Sequence, residues 1–275
     1  MIAAQLSGNP ADIGVRGVHV FPGAMSLALF TILFAAPFTA ASQTAIPQPA
    51  APGERPVSLR RLLPNLLSDQ KRIWTFPVTL AHGQGWLPAG AILGTTAGFI
   101  ALDPTESSYF RGTSAFQGFN GKFTSTATMA GIVAAPVALF AAGLIRKSPE
   151  MQHTALFAGE ALADAEIVSE ALKEATDRVR PSAIPLRGNF SDSWFEGQPR
   201  SQASFPSGHA IGAFAIATVV SRRYGKQHRW VPYTAYGLAA LVGFSRLSLS
   251  AHFLSDVFVG GALGYSIGRF GVLRQ

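Results

Sequence analysis

Three short stretches in the C-terminal half carry residue types that can handle an oxyanion. "KEATDRVRP" separates Lys173 from Arg180-Pro181 by six residues, "PSGH" covers 206–209, and "SRLSLSAHFLSD" separates Ser245-Arg246, His252 and Asp256 by five and three residues. Two guanidinium groups, an ammonium and the Ser207 hydroxyl can clamp a tetrahedral anion from several sides. Pro-Ser-Gly ahead of an apolar run reads as a turn feeding a helix, and a helix start presents free N–H groups to an anion. His252 and Asp256, four apart, share a helix face, so the carboxylate can hold one ring nitrogen and leave the other free. Two histidines, His209 and His252, then supply a nucleophile and a proton donor.

Each piece taken singly also has a structural reading. Lys173 can pair with Glu170 or Asp177 on its own helix, Arg180 can cap that helix, Arg246 and Asp256 can form an ion pair, and His252 can be a core histidine. All of these together would require several coincidences at fixed spacing. The ordered trio K-x6-RP, PSGH and SR-x5-H-x3-D resembles the type 2 phosphatidic acid phosphatase superfamily, which includes bacterial class A acid phosphatases and vanadium haloperoxidases. The resemblance implies an all-α helical bundle of that type. It also implies that Lys173, Arg180 and Arg246 bind phosphate, with hydrogen bonds added by Ser207 and the Gly208 backbone. By the same resemblance His252 attacks phosphorus to give a phosphohistidine, His209 protonates the leaving oxygen, and Asp256 orients His252. One position departs: acid phosphatases of the superfamily often have glycine two residues before the nucleophilic histidine, and Ser250 stands there.

The elements that must position these groups read as helices. The 275-residue chain is 48% hydrophobic and only 13% charged, a balance that favours a membrane protein or a tightly buried helical one. From Val57 onward the apolar pattern is helical, with little strand-like alternation. "LPAGAILGTTAGFIAL" (87–102) is bounded by Asp103-Pro104, and 124–145 is long enough to span a bilayer. The stretch 154–178 differs, because Glu160, Asp164, Glu166, Glu170 and Glu174 lie beside its apolar face. Carboxylates cost about 2.5–3.5 kcal/mol each at a bilayer centre, so this helix is expected to face water on one side. Three apolar helices follow, at 210–221, 231–244 and roughly 253–270.

Ahead of this domain, expected at 57–275 with its motif core at 173–256, residues 1–41 read as a signal peptide or an N-terminal anchor. Residues 42–56 read as a Pro/Ala-rich linker. The absence of cysteine excludes disulfides, zinc-thiolate sites and cysteine nucleophiles. His19, His82, His153 and His228 show no metal-ligand spacing, so no metal is expected. The net charge of +7 favours anionic partners, and no aromatic-basic alternation of a nucleic-acid module is present. The basic run at 222–229 reads as a solvated loop or a phospholipid contact. In the loop from 182 to 203, Trp194 and Phe195 are candidates to touch the organic part of a substrate, and Arg187 or Arg200 an extra phosphate.

The expectation is an exported phosphomonoester hydrolase, periplasmic or associated with the envelope membrane, acting on a soluble or lipid phosphate ester without a cofactor. Two alternatives keep the same residues. One is a haloperoxidase, in which vanadate would be the cofactor; the other is an envelope protein that binds phosphorylated lipid without turnover.

Overall fold

The computed structural model describes residues 55–185, 193–196 and 203–273. The signal-like segment, nearly all of the linker, Arg187 and Arg200 lie outside the described residues. The regular elements among the described residues are helical: α1 (Leu62–Ala81), α2 (Trp86–Gly112), α3 (Gln117–Lys122), α4 (Ser125–Ile145), α5 (Pro149–Thr176), α6 (Gly208–Tyr224), α7 (Trp230–Ser248) and α8 (Leu254–Ser266). A π-helical turn at Ile267–Val272 continues α8. The fold is all-α, as the apolar pattern predicts.

Local chemistry sets the ends. The Thr124 hydroxyl accepts from the Ala127 N–H to start α4, and Ser148 accepts from Met151 N–H ahead of Pro149 to start α5. Asp177, with φ 44°, closes α5 in the left-handed conformation that stops a helix. Helix α6 lies at the centre, with α5, α7 and α8 packed on it, while α4 leans on α5 and α2 on α8. Phe157, Ala161, Ala165 and Val168 of α5 meet Ile211, Ala215 and Val219 of α6, and the π turn adds Ile267 and Val272.

Helices α6 and α8 touch backbone to backbone. A Cβ on Gly260 would lie 2.8 Å from the Ser207 carbonyl oxygen, and one on Gly264 would overlap the Ile211 carbonyl oxygen. This approach brings the start of α6 beside the start of α8. Because backbone atoms cannot rotate away as a side chain can, Gly264→Ala is expected to cost about 1–3 kcal/mol or more. Thermal unfolding of the variant reads this, and an unchanged midpoint would show that the helices have room to part.

Two features differ from the sequence reading. Helix α2 does not end at Asp103-Pro104 but runs on to Gly112. Proline removes one ladder hydrogen bond, yet Asp103 is buried and tied to Arg178 and Ser255, which holds the helix through this point. The second difference concerns α5. Glu160 and Asp164 do not face water: they are buried against α1 and the segment before it, where Arg55 and Asn65 bond to Glu160 and Gln70 donates to Asp164 at 2.8 Å. Buried carboxylates need such partners, and α1 and the residues ahead of it supply them.

Helices α2 and α4 are both long and apolar enough to cross a membrane. Their large apolar side chains, among them Leu87, Leu93, Val137 and Ile145, stand largely exposed on the surface of the chain.

Candidate active site

The site forms where the starts of α4, α6 and α8 meet the end of α7 and the stretch after α5. Ser207 caps α6, its hydroxyl accepting from the Ala210 N–H at 3.4 Å, and its own N–H donates to the Asp256 carbonyl at 3.1 Å. Gly208 leaves space for α5: a Cβ there would sit 3.4 Å from Ser169 Oγ and 3.6 Å from Lys173 Nζ. Lys173 therefore lies against the helix start. It also pairs with Glu170 at 2.7 Å, the pairing its helix spacing allows.

Arg246 is fully buried at the end of α7. Its guanidinium donates to the Phe123 carbonyl at 2.6 Å, to Ser125 Oγ at 3.0 Å, to Ser245 Oγ at 2.8 Å and to Thr128 Oγ1 at 3.3 Å. Each of these partners is an uncharged oxygen, and no carboxylate among the described residues pairs with it. Burial and the neighbouring Arg180 lower its pKa to about 10. Arg180 opens the 3₁₀ turn Pro181–Ala183, where burial lowers its pKa and Asp256 raises it.

The two imidazoles are held by backbone carbonyls. A carbonyl only accepts, so the nitrogen facing it must carry hydrogen. His252 Nδ1 therefore donates to the Ser204 carbonyl at 2.7 Å, which leaves Nε2 with its lone pair. Burial pushes the His252 pKa down while Asp256 pulls it up, and the net direction is down. His209 Nε2 donates to the Ser125 carbonyl at 2.9 Å. Burial first, then Arg246, lowers its pKa to about 4, with His252 and Arg180 adding to the shift and the Ser125 carbonyl opposing it. With no anion bound, both rings are neutral at physiological pH.

Asp256 sits differently from the simple expectation. Its Oδ2 lies 3.7 Å from His252 Nδ1, beyond hydrogen-bond reach, so it acts on the ring through its charge. The carboxylate is itself held by Ser204 Oγ, by the Phe253 N–H at 2.9 Å and by Arg178 Nη1 at 2.5 Å. Burial pushes its pKa up, but Arg178, His252 and Ser204 outweigh this and keep it below the ordinary value. Ser204 thus bridges the pair, its carbonyl on His252 and its hydroxyl on Asp256.

Ser250, the departure from the acid-phosphatase pattern, has φ 52°. That is the left-handed region glycine adopts without steric cost. The turn around it bonds Ala251 and His252 N–H groups to the Arg246 carbonyl, linking the two motif residues directly.

The structure brings together all eight residues picked from the sequence and adds several that spacing did not reveal. Arg178, Ser204, Ser125 and Asp103 come from four separate segments. Arg178 stood inside the first quoted stretch, and its burial was the signal that sequence alone does not carry. Trp194 packs its ring 4.3 Å from the Arg178 guanidinium, while Phe195 is exposed.

A helical scaffold holding buried cations, a helix start and two neutral imidazoles around one point is built to handle a tetrahedral oxyanion. Residues 154–274 match the family model of the PAP2 superfamily. Over 68 residues it is 40% identical to a lipid A 1-phosphatase of Porphyromonas gingivalis, covering 25% of this chain and 15% of that protein. Over 105 residues it is 34% identical to phosphatidylglycerophosphatase B of Bacillus subtilis, covering 36% of this chain and 46% of that one. The chain thus spans less than half the length of either relative. A solved transmembrane PAP2-type phosphatidylglycerolphosphate phosphatase from Bacillus subtilis is 23% identical, with a TM-score of 0.38 over 73% of this chain and 92% of its own.

Proposed function

We propose that this protein hydrolyses phosphate monoesters at a membrane face, through a phosphohistidine on His252 and without a metal. The observation that carries the reading is Arg246, a buried guanidinium with only uncharged partners, set beside Arg180 and two neutral imidazoles. An unneutralised buried cation is costly unless an anion completes it. A phosphoryl group supplies that anion.

In the first step His252 Nε2 attacks phosphorus and the P–O bond to the ester oxygen breaks in line. Arg180, Arg246, Lys173 and the N–H groups at the start of α6 carry the charge on the equatorial oxygens. The proton that enters with the ester monoanion passes to His209, which donates it to the departing alkoxide. In the second step water attacks the phosphorylated nitrogen's phosphorus, His209 takes the water's proton, and the P–N bond breaks to release inorganic phosphate. Asp256 stabilises the positive charge that His252 carries in between.

The place of the site favours an ester with an apolar tail. Ser125 opens α4, one of the two membrane-length helices, and Phe123 lies two residues before it; they hold His209 and Arg246. The lipid A and phosphatidylglycerophosphate phosphatases among its relatives are named for lipid substrates. Protein purified in detergent and treated with chelator is expected to release phosphate from an aryl phosphate, and faster from a long-chain lipid phosphate in mixed micelles. Tight binding of both esters with no release across a pH scan would overturn the reading in favour of a binding protein.

A further inference from the structure

Behind the imidazole that faces the phosphate lies a second, fully enclosed charge network. Arg178 is 1% exposed. Its Nη1 donates to Asp256 Oδ1 at 2.5 Å and to Ser255 Oγ at 2.7 Å, and its Nη2 donates to Asp103 Oδ2 at 2.7 Å. Asp103 in turn accepts from the Ser255 N–H at 3.1 Å and from its hydroxyl at 2.5 Å. The guanidinium plane is held between the rings of Trp194, at 4.3 Å, and Phe253, at 4.0 Å. One side chain therefore joins α2, the stretch after α5, and the first turn of α8.

We infer that Arg178, clamped by Asp103, is a positioning residue that holds Asp256, and through it His252, in the reactive arrangement. The inference rests on the phosphatase reading above, because it assigns a task within that reaction. Arg178 does not reach the phosphate cluster itself. It bonds to Asp256 on the oxygen opposite the one nearest His252, since Oδ1 takes Arg178 while Oδ2 takes Ser204 and the Phe253 N–H. With both oxygens occupied, the carboxylate has one orientation, and Ser204 must keep its carbonyl on His252 Nδ1. The planar guanidinium can serve two carboxylates at once from fixed directions, which a lysine ammonium cannot do.

The charge has a second effect. Arg178 helps keep Asp256 ionised against its burial. The other charged or titratable groups facing Asp256 and His252 are Arg180 from the same stretch, Asp103 and Glu106 from α2, and His209 from α6. Removing Arg178 takes away the largest influence opposing burial, so the Asp256 pKa rises and the acidic limb of the rate profile moves to higher pH.

The test uses the full chain with an aryl phosphate as substrate and inorganic phosphate as competitive inhibitor. Arg178→Lys is expected to lower kcat by roughly 10–100-fold, the usual range for a partner that orients a reacting group. KM and phosphate inhibition stay within about threefold, because Arg180, Arg246 and Ser207 are untouched. Arg178→Met lowers kcat at least as far and shifts the acidic limb upward, whereas the charge retained in Arg178→Lys leaves that limb near its original pH. Asp103→Asn loosens the clamp while keeping side-chain size, and it provides the same kcat-only loss should Arg178→Met fail to fold. Folded Arg178→Lys and Asp103→Asn proteins with unchanged kcat would overturn the inference. So would a parallel loss of kcat and phosphate affinity, which marks a structural role only. His252→Ala run alongside separates the two levels: full turnover in that variant sinks the phosphatase mechanism itself, while an inactive His252→Ala beside a normal Arg178→Lys sinks only the role of Arg178.

Discussion

Replacing His252 with alanine is expected to lower kcat on the order of 10⁴-fold or more, the scale seen when the nucleophile of a covalent mechanism is removed. The geometry explains the size. Nδ1 is tied to the Ser204 carbonyl, so Nε2 is the one lone pair the ring can offer. Burial disfavours the protonated ring, keeping that lone pair available over a wide pH range. Quenching the parent protein during turnover of labelled ester should trap phosphate on His252 as an acid-labile phosphoramidate. Label retained in the alanine variant, or turnover close to the parent's, would rule out attack by this residue.

Arg246→Gln is expected to lower kcat/KM by about 10²–10³-fold, the range for losing one preorganised donor to a transition-state oxyanion. The glutamine amide can still bond to Ser125 or Phe123, so the effect is on charge more than on packing. A pH effect accompanies it. His209 is lowered to about 4, with Arg246 second to burial among the causes. In the parent the ring is unprotonated above that pH until an anion arrives, so the proton for the leaving oxygen must come in with the substrate. Phosphate monoesters lose their second proton near pH 6. The parent's kcat/KM is therefore expected to fall as pH rises above about 6, giving an acid optimum. The same depressed pKa works against stability at low pH. The unfolded chain binds the His209 proton below its ordinary 6.5 and the folded chain does not, so stability is complete above 6.5 and declines toward 4. In Arg246→Gln the folded-state His209 pKa rises toward 6.5, so that decline should still begin near 6.5 but be smaller and end at a higher pH. A pH series of rates and of thermal midpoints on both proteins measures this; identical midpoint profiles would show that the two groups are not coupled.

Much of the candidate site's local geometry was legible before the fold because it is encoded in motif spacing. Ser207 and Gly208 at a helix start, and His252 four residues before Asp256, are relations within one or two turns of chain. Contacts between segments far apart in sequence had no such signature. Nothing in the spacing links Ser204 to His252, Ser125 to His209, or Asp103 to Arg178, which are 48, 84 and 75 residues apart. The same limitation produced the two misreadings. Asp103-Pro104 looked like a helix end because proline is a local breaker, while the tie to Arg178 that holds the helix lies outside any local window. Glu160 and Asp164 looked solvent-facing because carboxylates usually are, whereas Arg55, ahead of α1, and Asn65 and Gln70 on α1 enclose them. Lys173 is a case where both readings meet, paired with Glu170 and yet beside the start of α6.

The glycine contact between α6 and α8 divides the site into a fixed half and an adjustable one. Ser207 and His209 at one helix start, and His252 and Asp256 at the other, are locked by backbone atoms with no free volume between them. Close-packed interfaces of this kind shift as units rather than deform. Arg246 and His209 reach across to Phe123, Ser125 and Thr128 through hydrogen bonds alone, and Phe119 and Phe123 stack at 4.4 Å beside them. The chemistry is thus carried by a frame that tolerates little change. On the proposed reading, differences in which esters the scaffold accepts arise along the α3–α4 wall, where side chains rather than backbones make the contact and a lineage can vary them without disturbing the frame.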